Sequence, residues 1–198
     1  MDDKKYFVHP TAIVETKYIG AGTRIWAFCN IQKGTRIGTD CNICDRCFIE
    51  KGVEIGNNVT VKNGVSLWEG VVIEDNVFIG PNAVFTNDIY PRSKVRQNEV
   101  DKTLIRQGAT IGAGAVVVAG NTVGRFAFVG AGAVVTKDIP NFTLWFGNPA
   151  ALVGYVCACA QRLDFSQPER VDTGDAKFTR CVVCGREYRL IDGRVVPC

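Results

Sequence analysis

An aliphatic or aromatic residue recurs every six positions through most of this 198-residue chain, and few folds accept that period. The register runs Phe7, Ile13, Ile19, Ile25, Ile31, Ile37, Ile43, Ile49, Ile55, Val61, Leu67, Ile73, Ile79 and Phe85. It then resumes in a shifted phase as Ile105, Ile111, Val117, Val123, Val129 and Val135. Three positions after most of these residues comes Gly, Asn or Asp, from Gly22 and Gly34 to Gly132 and Asp138. Those residue types tolerate positive φ. Four positions after comes a small or β-branched residue such as Thr23, Val59, Ala109 or Ala133. A short strand, a turn and a small inward residue describe one side of a triangular coil, and three sides of six residues make a coil of 18. No coil can bury its own aliphatic face, so coils must stack, each buried rung contributing about 1.5–3 kcal/mol before chain entropy is subtracted. A helix would need apolar residues at i, i+3, i+4 and i+7 and fewer β-branched residues and glycines; a sandwich would space its strands by about 8–12 residues. The period therefore predicts an all-β parallel solenoid.

Charge and cysteine usage narrow the partners. The 23 basic and 20 acidic residues nearly cancel, and no block of like charge would track a nucleic-acid backbone or an anionic membrane. The segment Met1 to Pro10 is charged, and no stretch reaches the roughly 18 apolar residues of a membrane span, so a cytoplasmic location is expected. Nine cysteines without a secretion signal point to buried thiols or metal ligands rather than disulfides.

The register breaks between Phe85 and Ile105, leaving Thr86 to Leu104, TNDIYPRSKVRQNEVDKTL. A rigid scaffold carries function on such excursions, and this one concentrates Asn87, Asp88, Tyr90, Arg92 and Lys94 at one corner; the alternative is a solvated loop. Ile139-Pro140 and Asn148-Pro149 end the solenoid. The expected division is residues 1–154 for the β-helix with its inserted loop 86–104, and 155–198 for a cysteine-rich tail.

These repeats resemble the hexapeptide-repeat transferase family. The resemblance implies a left-handed parallel β-helix, the known exception to right-handed crossovers, and a homotrimer with active sites in the grooves between subunits. Residues 106–150 resemble the last coils of hexapeptide acyltransferases that bind acetyl-CoA. Residues 61–94 resemble the branch that acetylates 3-amino sugars carried on dTDP or UDP, most specifically in the FTNDIYPRSK run at 85–94, and the likeness covers about residues 8–154. It implies an acetyl-CoA-dependent N-acetyltransferase acting on the 3-amino group of a dTDP-linked 3-amino-3,6-dideoxyhexose in surface-polysaccharide (lipopolysaccharide) biosynthesis. A UDP-linked acceptor is the alternative; enzymes for UDP-3-amino-glucuronate often read Ile-Trp-His-Phe where this chain has Ile25-Trp26-Ala27-Phe28, which disfavours a uronate. A non-catalytic β-helix that binds sugar nucleotides or serves in assembly is the reading from another class.

One histidine, His9, stands before the first full coil. Acylation of a hydroxyl calls for a base that removes its proton during attack, and a zinc hydratase of this fold calls for several histidine ligands. A neutral amine already carries its lone pair and needs positioning more than deprotonation, which favours N-acylation. Asn87 is expected to orient the attacking amine, with Asp88 or Glu69 accepting its proton and a backbone N–H stabilising the oxyanion. Trp26 and Trp68 each follow a rung residue and so point outward, to stack on the nucleotide or to pack between subunits. With Phe85, Tyr90, Arg92 and Lys94 they make the expected acceptor site. Arg106 and Lys137 are candidates for coenzyme phosphates, and Gly108, Gly112, Gly130 and Gly132 for close approach of the pantetheine arm, although turns alone would explain those glycines.

The cysteines fall into two groups. Cys29, Cys41 and Cys47 occupy the small inward slot, whereas Cys44 takes the outward slot after Ile43, so Cys41-x2-Cys44-x2-Cys47 cannot converge on one ion. Beyond residue 154 the period vanishes, and Cys157-x-Cys159 is followed by Cys181-x2-Cys184-Gly185. Four thiolates suit a tetrahedral structural zinc, and the second pair resembles a zinc-ribbon knuckle; free thiols or a rubredoxin-like iron site are the alternatives. A short tail that can hardly form its own core has physical use for such a staple.

Overall fold

The computed structural model describes residues 5–95, 100–166, 170–171 and 176–198 of the chain. It is a left-handed parallel β-helix whose three faces are sheets of short strands, mostly two residues each. The first face runs from Phe7–Val8 through Arg24–Ile25 and Asn42–Ile43 to Phe128–Val129 and Thr143–Phe146. The second runs from Ile13–Val14 through Asn30–Ile31 to Val134–Val135, and the third from Tyr18–Ile19 through Arg36–Ile37 to Thr122–Val123. Each coil donates to the carbonyls of the next: Trp26 N to Ile43 O at 2.9 Å, Cys44 N to Val61 O at 2.8 Å, Lys62 N to Ile79 O at 2.9 Å. Backbone polar groups are thereby satisfied between coils, which is what lets the core consist of side chains alone.

That core is a column of rung residues, Ile25, Ile31, Ile43, Ile49, Leu67, Ile79 and Ile111 among them, all fully buried. The small slots beside them are filled by buried Thr23, Thr35, Ala109, Ala115 and the inward cysteines. Thr23 is satisfied on both counts, donating to Gly38 O at 2.8 Å and accepting from Cys41 N at 3.0 Å. Three of the thiols likewise reach carbonyls, Cys29 to Cys44 O at 3.0 Å, Cys41 to Gly56 O at 3.1 Å and Cys47 to Lys62 O at 3.2 Å. Cys44, at its outward corner position, is nonetheless buried.

The first coil departs from the expected register. Arg24 pairs with Asn42, 18 residues on, but Phe7 pairs with Arg24 and Ile13 with Asn30, each only 17 on. The side between Val14 and Ile19 is one residue short, so Val8 and Val14 take the inward positions. Phe7 and Ile13, expected as rungs, face outward at 43% and 59% exposure. The positive-φ turns hold at Gly22, Gly34, Asp40, Asn58 and their equivalents, but not at Asp138. Phe28, Arg46 and Phe126 occupy the same slot at φ 59°, 59° and 54°, against the local preference.

The interruption is equally defined by register. Ile73 pairs with Ile105, 32 residues on where an uninterrupted coil takes 18, and the strand Thr103–Ile105 already lies in the third face with Thr103 buried. At the far end the strand Ala151–Val156 turns back antiparallel on Thr143–Phe146, so the expected boundary at residue 154 falls inside a strand. A separate four-stranded antiparallel sheet follows, including Lys177–Arg180, Glu187–Ile191 and Arg194–Pro197. Among the described residues no helix is long and apolar enough to cross a membrane.

Candidate active site and tail thiol cluster

The inserted loop leaves the solenoid at the corner between the second and third faces. Ser66 pairs with Val84, so Trp68 and Thr86 stand at the same corner on consecutive coils, and so do Glu69 and Asn87. Two carboxylate or amide candidates that lie 18 residues apart in sequence thus share one column. Trp68 is half-buried, packs against Phe48 with ring centroids 5.3 Å apart, and donates its indole N–H to Phe85 O at 2.9 Å. Glu69 is held from below: its N–H donates to Glu50 Oε2 at 2.8 Å, and its carboxylate pairs with Lys51 at 3.3 Å. The returning end of the loop passes over the same corner, since a Cβ on Gly70 would lie 2.5 Å from Val100 Cγ1 and 3.2 Å from Asp101 O. Loop entry and exit therefore bracket Trp68 and Glu69.

Beyond Thr86, whose hydroxyl accepts from Ala119 N at 2.9 Å, Asn87 is exposed and Asp88 half-buried. Asp88 Oδ1 accepts from Tyr90 N at 2.8 Å, which fixes the carboxylate over its own turn. Tyr90 is 81% exposed, and Arg92 and Val95 close a small antiparallel bridge with Lys94 at φ 63°. Arg92 and Lys94 are exposed on this tip. Residues 96–99 of the expected loop lie outside the described residues.

Several expected site residues stand elsewhere. The Phe85 side chain is a core rung, 2% exposed, and offers the outside only its carbonyl. Trp26 is at the corner between the first and second faces, against Phe7 at 5.5 Å and donating to Asn42 Oδ1 at 2.7 Å. It therefore does not meet Trp68 within one subunit. The expected coenzyme contacts are divided among all three corners: Arg106 and Gly108 between third and first faces, Gly112, Gly130 and Gly132 between first and second, Lys137 between second and third. Each six-residue side turns the chain to a new corner, so within one subunit the six stand at three different corners. Two of the glycines have a structural reason of their own: a Cβ on Gly108 would lie 2.3 Å from the Phe126 ring, and one on Gly130 would lie 1.7 Å from the Phe146 ring. Lys137 lies over the buried Trp145 ring, 5.4 Å from its centroid. Sequence reasoning missed Lys51 and Glu50 as supports of Glu69; the 18-residue spacing from Lys51 to Glu69 was the available signal.

The tail brings its four cysteines together. The sulfurs of Cys157, Cys159, Cys181 and Cys184 all lie within 4.8 Å of one another, with 3.4 Å between Cys157 and Cys184 and 3.5 Å between Cys159 and Cys181. Four sulfurs at about 2.3 Å from a tetrahedral zinc would sit about 3.8 Å apart, so the donor set fits. Burial pushes Cys159 up to about 12, while Cys181 is held at about 6, first by the Cys184 backbone N–H. For Cys157 burial raises the value, but the Cys159 N–H, the Tyr188 hydroxyl and the neighbouring thiols outweigh it and the net shift is downward.

Comparison with known proteins fits this geometry. A family model described as bacterial transferase hexapeptide (six repeats) matches residues 52–87, and one for the hexapeptide repeat of succinyl-transferase matches 34–68 and 104–137. The dTDP-3-amino-3,6-dideoxy-alpha-D-galactopyranose 3-N-acetyltransferase of Aneurinibacillus thermoaerophilus is 55% identical over 189 residues, covering 96% of this chain and 93% of that protein. The chain belongs to the hexapeptide-repeat acetyltransferases. Among solved structures, a hexapeptide-repeat acetyltransferase of Vibrio cholerae O1 biovar eltor complexed with acetyl coenzyme A is 25% identical with TM-score 0.54, over 62% of this chain and 70% of that one. The acetyltransferase domain of PglB from Neisseria gonorrhoeae shares the fold, with TM-score 0.53 and 24% identity over 75% of this chain and 57% of that one.

Proposed function

We propose that this protein transfers the acetyl group of acetyl-CoA to the 3-amino group of a dTDP-linked 3-amino-3,6-dideoxyhexose. The observation that carries the reading is the 55% identity spanning 96% of the chain with an enzyme of that activity. The corner built by Trp68, Glu69, Asn87 and Asp88 supports it with suitable chemistry. Asn87 orients the neutral amine through its amide oxygen. The amine nitrogen bonds to the thioester carbonyl carbon, the C–S bond breaks, and coenzyme A leaves as the thiolate. Asp88 or Glu69 takes the proton lost by the nitrogen and passes it to the thiolate, so the products are the amide and free coenzyme A. Trp68 presents an aromatic edge beside this corner, and Arg92 and Lys94 on the loop tip meet the diphosphate. Lys137, in the same column nearer the C-terminus, meets coenzyme phosphates. The functional unit in this reading is a homotrimer, so the corners that one subunit separates face one another across the grooves. The four tail thiols form a tetrathiolate for a structural zinc ion.

N-acylation is favoured over O-acylation because the only histidine, His9, is on the first coil, where its Nδ1 lies 2.9 Å from Thr11 Oγ1. The test is incubation of the purified protein with acetyl-CoA and a panel of dTDP- and UDP-linked 3-amino sugars while free thiol is measured. Thiol release is expected with the dTDP-3-amino-3,6-dideoxyhexoses. Release only with UDP sugars would replace the nucleotide assignment, and release with none would leave the non-catalytic reading in its place.

A further inference from the structure

The thiol cluster lies where two separately formed parts of the chain meet. Cys157 and Cys159 follow directly on the strand Ala151–Val156, which is paired with the last strand of the solenoid's first face. Cys181 and Cys184 belong to the turn between Lys177–Arg180 and Glu187–Ile191 in the C-terminal sheet. Half of the donor set is thus attached to the β-helix and half to the small sheet.

The packing around the cluster joins the same two parts. Phe142, Cys157, Leu163, Phe165, Cys181, Tyr188 and Val195 form a buried cluster distinct from the solenoid core, with Phe126 packed against it. Tyr188, 1% exposed, places its hydroxyl 3.1 Å from Cys157 Sγ and accepts from Ala158 N at 2.9 Å. Its ring meets Phe142 edge-on at 5.6 Å, and Phe142 stacks on Phe126 at 5.2 Å. The last strand faces the solenoid end across a cleft of about 340 Å³ lined by Pro140, Asn141, Arg194, Val195 and Val196. Among the described residues this cluster has seven buried members, two of them thiols, with Phe126, Tyr155, Ala158, Cys159 and Leu190 partly buried against it, a small apolar contact for which a further tie has physical use.

We infer that one zinc ion bound by Cys157, Cys159, Cys181 and Cys184 is the clamp that docks the C-terminal sheet on the last coils, so the tail is a metal-dependent cap on the solenoid. The inference rests on the zinc reading of the thiols and is independent of the acyl-transfer reading. Four thiolates enclose the cation, and two ligands on each side convert binding free energy directly into docking free energy. Among the described residues the solenoid core contains no tail residue beyond Ala150, so in this inference the solenoid stays folded without the metal.

The experiment uses the full chain prepared under reducing conditions. Metal analysis is expected to give one zinc per chain, and Cys184→Ser, which alters an exposed ligand, is expected to lower it, whereas Cys198→Ser leaves it unchanged. Zinc is then removed by exhaustive dialysis against a strong chelator under reducing conditions, and protease sites are mapped by mass spectrometry before and after. Cleavage within 157–198 should accelerate by on the order of tenfold or more as the undocked population grows, while the cleavage rates within 5–85 and 105–150 stay unchanged and the sheet circular dichroism persists. Less than one equivalent of metal, or the red colour of a ferric tetrathiolate, overturns the zinc reading itself. Stoichiometric zinc whose removal leaves the tail equally protected overturns the clamp and leaves the ion a local staple. Loss of the solenoid signal together with the tail also overturns it, because the ion would then hold the whole chain.

Discussion

Gly108→Ala separates a structural glycine from a coenzyme-binding one. Gly108 sits at φ 70°, and a Cβ there would lie 2.3 and 2.4 Å from Cε1 and Cδ1 of Phe126. The left-handed backbone alone makes a non-glycine residue cost about 1–2 kcal/mol. The overlap adds about 1–3 kcal/mol, because Phe126 is pinned by its stack on Phe142 and cannot give way freely. The single variant should therefore lose about 2–5 kcal/mol in urea titration, or roughly 4–20 °C of melting midpoint for a chain of this length. In a Phe126→Ala background the ring is gone, and the same substitution should cost only the backbone share of about 1–2 kcal/mol. A coupling of about 1–3 kcal/mol between the two changes is the signature of direct contact. Additive losses, within about 0.5 kcal/mol, would refute the contact. A variant of unchanged stability that binds coenzyme A more weakly would instead return Gly108 to the pantetheine path.

The remaining predictions concern the corner and the coil. Asn87→Ala is expected to lower kcat by on the order of a hundredfold with coenzyme A affinity unchanged, as for loss of a group that orients the nucleophile; an unaltered kcat removes it from the mechanism. Of Glu69→Gln and Asp88→Asn, the one that removes the proton acceptor should lower kcat by about 100-fold or more and shift its pH profile, while the other changes kcat little; two unchanged profiles would exclude both. Ile43→Ala, at a fully buried rung, should cost about 2–5 kcal/mol, whereas Ile13→Ala should stay below about 1 kcal/mol because Ile13 faces outward. Equal losses would restore the uninterrupted six-residue register in the first coil.

The interior from Ile19 to Phe85 and from Ile105 to Val135 could be read directly from the chain, because in a solenoid each side repeats the same local geometry and the spacing of rung residues is the geometry. The loop could be read for the same reason, as the place where that spacing fails. The tail thiols were legible as two pairs, since CxC and CxxC turns are local. Their convergence was not: it depends on the antiparallel return of Ala151–Val156 and on the sheet that carries Cys181 and Cys184. The shortened side between Val14 and Ile19 is not legible in the sequence because Phe7 and Ile13 are as apolar as the Val8 and Val14 that replace them inside, and composition does not distinguish the two registers.

Contacts between residues a full coil apart were decided only by strand pairing. Glu69 and Asn87 share a corner because Ser66 pairs with Val84, and a one-residue slip would have sent the column elsewhere. Phe126 occupies a turn slot that local preference would give to glycine or asparagine, because Gly108 below it and Phe142 above it supply a seat whose burial offsets the backbone cost. A six-residue repeat dictates which way each side chain faces. Only the stacked coils decide which side chain it meets, since that neighbour comes from another turn of the chain and is chosen by backbone hydrogen bonds.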